Sequence, residues 1–190
     1  FIENISGGDL NGKVTLAFRT SFKYLLNDDT SLDVIANWQQ DTPSGTSFKS
    51  GTYASLGGDT NANTFADLER GEDLGLDLTV WRVRAIVKHV FNDLWDLTST
   101  TAYREFDSNE AFDADGTVAP ALFFNEISKG KQFSQEFRLL HTSDKLTTIA
   151  GISYFTEDGN QAVPFSTEES IYLNCVGALG SGLPCINADG

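Results

Sequence analysis

The sequence predicts an all-β fold, in which antiparallel strands cross a membrane as one segment of a β-barrel. Six stretches alternate polar and apolar residues, the pattern of a strand with one apolar face. The connections between these stretches alternate between very short turns and long loops. All short connections therefore lie at one end of the predicted sheet and all long ones at the other. Outer-membrane barrels have this arrangement, with short periplasmic turns and long extracellular loops.

Connection lengths also predict which strands pair. The short connections are rich in Asn, Asp and Ser, which favour tight turns. In chain order, short and long connections alternate as 27–29, 42–71, 92–93, 108–130, 142–144 and 157–190. We expect each strand to pair with its neighbour in sequence, in one curved antiparallel sheet.

The first two predicted strands cover 13–25 and 31–40. Apolar residues such as Phe18 and Trp38 share one phase of the alternation, and charged residues such as Arg19 occupy the other. Because successive side chains point to opposite faces, each strand has one apolar side and one polar side.

The third stretch, 72–91, is long for a strand of a soluble domain, where about 5–6 residues is typical. Its apolar residues change phase by one position between Val80 and Arg82, which predicts a β-bulge or a bend there. At about 3.3 Å per residue such a strand exceeds the thickness of the hydrocarbon core and projects beyond it.

The last three predicted strands cover 94–106, 131–140 and 146–156, and they continue the alternation. Across the sheet, the residues expected to face lipid are Phe18, Trp38, Val83, Leu97, Phe137 and Ile152. Those expected to face the lumen are Arg19, Asp33, Thr98, Glu136 and Arg138. Aromatic residues expected near strand ends, as in interfacial girdles, are Tyr24, Trp38, Trp95, Tyr103, Phe106 and Tyr154.

Composition excludes several other classes. The 190 residues contain 40% apolar and 12% aromatic residues, too many for a disordered chain, and no apolar run approaches the length of a transmembrane helix. The net charge of −14 argues against nucleic acid as a partner. Six strands cannot close a barrel, since the smallest membrane barrels have eight. We therefore expect residues 1–190 to form part of one barrel domain whose other strands lie outside this chain.

Two segments resemble a known family. The run DLTSTTAYREFDSNEAFDADGT (96–117) is similar to a recurring hairpin of TonB-dependent outer-membrane receptors, in which a Leu-Thr-Ser-x-Thr-x-Tyr-Arg strand leads into an acidic loop. The run FSQEFRLLHTSDKLTTIAGISYFTED (133–158) is similar to the next hairpin, with its Ser-Gln-Glu-x-Arg-Leu strand and its Tyr-Phe strand. The opening hairpin fits the same barrel less specifically.

The resemblance implies a piece of a 22-stranded barrel that encloses a plug domain in the outer membrane of a Gram-negative bacterium. Such a receptor imports a scarce nutrient, commonly a ferric siderophore, with energy from an inner-membrane complex. Its implied partners are lipid and lipopolysaccharide, a small-molecule ligand such as an iron complex or a carbohydrate, and the TonB energising complex. The plug and the segment that contacts the energising complex are not in this chain.

No catalytic constellation is present in the sequence, and we expect neither an enzyme nor a cofactor. His89 and His141 have no nucleophile or metal-spaced partner nearby. Ser134 and Glu136 alternate with Gln135 on a predicted strand, which favours a polar lumen ladder over acid–base chemistry.

Two acidic positions resemble the start of a calcium-binding loop. Asp113 and Asp115 begin a DxDG motif, but Thr117 and the residues after it do not supply the remaining EF-hand ligands. A turn with solvated carboxylates is the alternative, and the sequence predicts no established metal site.

The two cysteines, Cys175 and Cys185, lie in the last long segment with Gly and Pro between them. This spacing favours a disulfide that closes a small extracellular loop in an oxidising compartment. The alternative is two unrelated thiols.

Aromatic residues in the long segments are the candidates for ligand contact, because exposed rings can grip a siderophore or stack on a sugar. Packing of the loops on one another is the alternative role. The long segments carry Phe48, Tyr53, Phe65, Phe112, Phe123, Phe124, Phe165 and Tyr172. Those predicted to bind ligand are Tyr53, Phe65, Phe123, Phe124, Phe165 and Tyr172.

Two functions follow. The first is a TonB-dependent receptor that imports a ligand through an energy-gated barrel. The alternative is a soluble or surface-exposed β-domain that binds glycans or a protein partner.

Overall fold

The computed structural model describes residues 2–51, 59–61, 64–68 and 73–169. These residues are all-β, as predicted. The strands are β1 (Thr15–Asn27), β2 (Thr30–Asp41), β3 (Gly75–Asn92), β4 (Trp95–Asp113), β5 (Phe123–Thr142), β6 (Thr147–Ala162) and the two-residue β7 (Phe165–Ser166). The predicted strands coincide with β1 to β6 in order, with shifts at their ends.

The strands form one open antiparallel sheet. Its order is β1-β2-β3-β4-β5-β6, so each long strand pairs with its neighbour in sequence, as the connection lengths predicted. The short β7 pairs with the start of β5, beyond the end of β6. β1 and β6 form the two edges of the sheet.

Short turns join the strands of each hairpin, and side-chain amides build two of them. The Asn27 Oδ1 atom accepts a hydrogen bond from the Asp29 backbone N–H at 3.0 Å. Asn92 does the same for Leu94 at 2.9 Å. Asn hydrogen-bonds its own turn two residues on, which is why it nucleates tight connections.

The predicted long loop 108–130 is mostly strand. β4 continues to Asp113 and β5 begins at Phe123, and only 114–122 connect them. The prediction was wrong because polar residues and glycine outnumber apolar residues in the extension, a composition typical of loops. An antiparallel ladder needs only backbone hydrogen bonds, and cross-strand pairs such as Lys129 Nζ to Asp107 Oδ2 add to it.

The predicted bulge between Val80 and Arg82 is absent. The register of β3 with β2 and with β4 runs through these positions without a shift. The apolar residues change phase because the two faces change surroundings along the strand. Near the loops, Leu76 lies on the face that carries the charged residues further down, whereas Trp81 and Val83 lie on the opposite face.

A loop cap closes one end of the sheet. It consists of 2–12, 43–51, 59–61, 64–68, 73–74 and 114–122. Its core is Leu10, Ala66, Leu68 and Leu74, with Ile2 and Phe123 packed against it. Buried Asn4 joins two of the segments, because its Oδ1 atom accepts the Leu68 N–H at 2.8 Å and its Nδ2 donates to the Leu68 carbonyl at 3.3 Å.

Gly116 allows two segments of the cap to approach closely. Its φ of 71° lies in the left-handed region, and its carbonyl accepts the Ser50 N–H at 3.1 Å. A Cβ atom at this position would lie 2.6 Å from that nitrogen. Glycine is therefore required both by the backbone conformation and by the contact.

Buried apolar side chains among the described residues all belong to the loop cap. They are Leu10, Ala66, Leu68, Leu74 and Ala119. The six long strands therefore cover no hydrophobic core of their own. No helix in the described ranges is long and apolar enough to cross a membrane.

Candidate functional site

The strand register divides the sheet into an apolar face and a polar face. Residues directly opposite each other on paired strands share a face, and Phe18, Trp38 and Trp81 are opposite one another. The neighbouring row on the other face contains Arg19, Asn37, Arg82, Arg104, Gln132 and Glu157. The residues expected to face lipid all lie on the apolar face, and those expected to face the lumen all lie on the polar face.

No segment among the described residues covers the apolar face. Phe18 leaves 63% of its surface exposed and Ile152 leaves 72%. Further large, exposed side chains on this face are Leu16, Phe22, Tyr24, Trp81, Val83, Val87, Phe137 and Tyr154. In water an exposed apolar surface of this extent is unfavourable.

Charged residues bound the apolar face on the loop side. On β4 to β6, the positions of this face between Tyr103 or Phe133 and the loop end are polar or charged. They are Glu105, Asp107, Lys129, Lys131, Asp158 and Asn160. The apolar surface is therefore a band of limited height across the sheet.

A cluster of three polar side chains lies within the band, and its members bind one another. Thr101 Oγ1 donates to Gln135 Oε1 at 2.5 Å, and Gln135 Nε2 donates to Ser99 Oγ at 2.9 Å and to the Glu136 carbonyl at 3.2 Å. With its carbonyl and amide both hydrogen-bonded, Gln135 can lie in apolar surroundings at little cost.

The aromatic residues expected near strand ends divide between the faces. Tyr24, Trp38, Trp95, Tyr103 and Tyr154 lie on the apolar face, whereas Phe106 lies on the polar face. The Phe106 ring covers Gly130, where a Cβ atom would lie 2.5 Å from it. Its role is to cover a glycine of the neighbouring strand.

At the loop end, the polar face carries four phenyl rings in a row, the phenyl ladder. They are Phe48, Phe112, Phe124 and Phe165. Phe112 and Phe124 stack with centroids 5.1 Å apart and planes 8° apart. Phe48 lies 6.2 Å from Phe112, and Phe165 lies 5.9 Å from Phe124. Phe165 leaves 65% of its surface exposed, so the ladder is open at one end.

The six predicted ligand-contact residues have three outcomes. Phe124 and Phe165 belong to the phenyl ladder. Phe65 lies under the Lys49 ammonium, and Phe123 packs against the cap core. Tyr53 and Tyr172 lie outside the described residues, as do the predicted disulfide partners Cys175 and Cys185. The structure brings Phe48 and Phe112 to the ladder instead, and the extended pairing of β4 with β5 is the signal that places Phe112 there.

Lys49 organises the loop beside the ladder. Its ammonium donates to Asp59 Oδ1 at 2.7 Å, to Thr64 Oγ1 at 2.9 Å and to the carbonyls of Asn61 and Phe65. The Lys49 side chain is 10% exposed. Hydrogen bonds from Lys49, Thr64 and the Asn61 backbone lower the pKa of Asp59 to about 2.

The DxDG turn holds its own backbone. Asp113, 2% exposed, accepts N–H groups of Asp115 and Gly116 at 3.1 and 3.0 Å. Asp115 accepts from Thr117 and, at 2.9 Å, from the Leu122 N–H. These oxygens are directed at the turn. The alternative interpretation expected solvated carboxylates, but Asp113 is buried. Within the described ranges, no group of three or more His, Cys, Asp or Glu residues could hold a metal ion.

A basic patch lies on the polar face, further from the loop cap than the phenyl ladder. It was not predicted from the sequence. It consists of Arg19, Arg82, Arg84 and Arg104. Arg82 and Arg104 are directly opposite each other, and Arg84 lies two residues from Arg82 on the same face. The alternation places each of these arginines on the polar face, but only the register of the four strands shows that they are neighbours.

The two histidines contact rings near the short turns. His89 packs edge-on against Phe91 at 4.6 Å, and its Nδ1 lies 2.8 Å from Thr30 Oγ1. His141 lies 4.5 Å from the Trp95 ring. The His89–Phe91 contact lies within β3, whereas the His141–Trp95 contact joins β5 to β4.

No protein-family model matches the chain, and no curated protein sequence matches it significantly.

Proposed function

We propose that the chain is a segment of an outer-membrane β-barrel that imports a scarce nutrient, as TonB-dependent receptors do. One observation carries this proposal: the apolar face of six long strands is exposed, while every buried apolar side chain among the described residues lies in the loop cap. Lipid is the environment that would cover such a face without a second sheet.

The dimensions of the apolar band suit a bilayer. On β3 the band runs from Trp81 to Phe91. At ~3.3 Å per residue and a tilt of ~40°, these ten steps rise roughly 25 Å, close to the apolar band of outer-membrane barrels. The charged positions from Glu105 to Asp158 would then lie in the headgroup region or above it.

The open sheet edges support a larger barrel. β1 has 13 residues and β6 has 16, and in the described chain neither has a strand on its outer side. Long exposed edges promote aggregation, and a closed barrel removes them. We propose that further strands of the same barrel pair with both edges, with about 22 strands in the whole.

The loop cap and the phenyl ladder support an extracellular binding site. The ladder lies on the polar face, which would be the lumen, at the end with the long connections. Open phenyl faces suit a ligand with aromatic or sugar rings, which an iron complex or a carbohydrate supplies.

Uptake measurements in the source bacterium test this function. Cells with and without the gene would receive labelled ferric siderophores or oligosaccharides as the single limiting nutrient source. We expect one ligand to accumulate only in cells that carry the gene, and a protonophore to abolish accumulation while surface binding remains. The protein should fractionate with outer membranes.

A matched pair of variants then tests the ladder. Phe124→Ala should weaken binding of that ligand several-fold, because one face of the ladder is lost. Phe133→Ala, which removes a ring from the apolar face, should leave binding unchanged. A protein found in the soluble fraction, or no energy-dependent uptake of any ligand, would favour the soluble or surface-exposed β-domain instead.

A further inference from the structure

The basic patch concentrates positive charge in an otherwise acidic protein. The chain has a net charge of −14, yet Arg19, Arg82 and Arg104 share one row of the polar face. Asn37 is the one residue between Arg19 and Arg82 in that row. With strands ~4.8 Å apart, the row spans roughly 14 Å, and Arg84 extends it by about 7 Å along the strand.

Nearby carboxylates on the polar face already have other partners. Asp33 pairs with Lys23 at 3.8 Å, and Glu136 pairs with Arg138 at 2.9 Å. Glu157 shares the row of the patch but accepts a hydrogen bond from Gln132 at 2.7 Å. In the part of the chain that the structure describes, no carboxylate lies within ion-pair distance of the four patch arginines.

Charge pairing at the basic patch differs from charge pairing on the rest of the polar face. Elsewhere on it, Lys23 pairs with Asp33 across strands and Arg138 pairs with Glu136 along β5. At the patch, two arginines are directly opposite, an arrangement that destabilises a sheet. Four guanidinium groups on a wall of low dielectric constant also focus a positive potential into the space before them. An anion in that space would offset the repulsion.

The shape around the patch suits a small molecule. A groove of about 360 Å³ opens among the four arginines and is also lined by Ile35 and Ala102. This volume falls within the usual range for small-molecule sites. The planar fork of each guanidinium group matches a carboxylate or a phosphate group with two parallel hydrogen bonds.

We propose that the basic patch binds a small polyanion that carries several carboxylate or phosphate groups. It lies on the same face as the phenyl ladder and further from the loop cap, so a ligand that leaves the ladder toward the short-turn end would pass it. This inference rests on the proposed function: it assigns the transported solute to the anionic class, as opposed to neutral sugars.

Titration calorimetry on the purified protein in detergent tests the patch directly. The probes are citrate and inorganic pyrophosphate, which separate carboxylate from phosphate recognition. We expect saturable binding of at least one probe that weakens as salt rises. The double variant R82Q/R104Q should bind that probe at least ten-fold more weakly.

The control is K23Q/R138Q, which removes two positive charges from the same face at positions already paired with carboxylates. It should change binding by less than two-fold. Equal losses in both double variants would overturn the proposal, because the effect would then be one of net charge.

Two further outcomes would also contradict it. One is the absence of binding of either probe. The other is protection of the patch arginines from phenylglyoxal in the ligand-free protein, together with a lower Tm for R82Q/R104Q, which would assign the patch to an acidic protein segment. Energy-dependent uptake that persists in R82Q/R104Q with unchanged affinity would overturn this inference while leaving the proposed function intact.

Discussion

In the loop cap, Leu10 and Leu68 are completely buried, whereas in the sheet Phe18 and Ile152 leave most of their surface exposed. Both regions are rich in apolar residues, and they differ in what covers them. The cap folds around its own small core. The sheet has backbone pairing, but among the described residues none of its apolar side chains is buried in a core of its own.

The largest effect is expected from a substitution that destabilises the cap and leaves the sheet intact. Leu68→Ala removes a fully buried side chain, which costs ~2–5 kcal/mol at such sites. Because the cap core packs against the sheet at one end, through Phe123 at the start of β5, we expect the loss to appear as rapid proteolysis of the loops, with hydrogen exchange in the rest of the strands unchanged.

Leu68→Met is the control for that experiment, since it conserves volume and should cost less than about 1.5 kcal/mol. If Leu68→Ala instead accelerated exchange throughout β3 to β5, the cap and the sheet would be one cooperative unit.

A charge placed on each face sharpens the comparison within the sheet. Phe137→Arg puts a cation in the middle of the apolar band and should lower the free energy of unfolding by ~2–4 kcal/mol in lipid vesicles. Ser134→Arg, three residues earlier on β5 and on the polar face, should be tolerated. Urea titrations of both refolded variants give the comparison. Equal losses would argue against a lipid-facing side.

The sequence was sufficient to predict the sheet because alternation and turn chemistry are local. Asn27 and Asn92 build their turns with their own side chains, and the period of two places Phe18 and Arg19 on opposite faces in any register. The strand order followed from the same short turns.

Features that depend on the register of several strands could not be predicted from the sequence. The phase change near Val80 predicted a bulge, because one strand alone does not reveal that its surroundings change along its length. The phenyl ladder and the basic patch each need three or more aligned strands. Phe123 is a related case, since only the folded cap shows that it packs against the cap core.

The smallest expected effect concerns the Lys49 site of the cap. The pKa of Asp59 is lowered from its usual value to about 2, so its ionised form is favoured by folding. The resulting stabilisation should be fully present above about pH 4 and should be lost as pH falls through about 2. The amide chemical shift of Asn61, whose N–H donates to Asp59 Oδ1 at 2.7 Å, reports this titration.

Asp59→Asn provides the matched control, because its amide cannot titrate and the Asn61 signal should stay constant over the same range. A midpoint near 3.8 in the unaltered protein would mean that the Lys49 contacts do not form in solution.

Spin labels along β5 test the central claim, that the apolar face lies against lipid, most directly. Single cysteines at 133, 134, 135, 136 and 137 would carry a nitroxide in the membrane-embedded protein. Oxygen, which concentrates in lipid, should reach 133, 135 and 137, whereas 134 and 136 should be shielded from it. Gln135 is decisive because it is polar but lies on the apolar face. Oxygen access at 135 equal to that at 133 and 137 is the predicted result. Access without a period of two, or a water-soluble nickel complex reaching 133 and 137, would contradict the account.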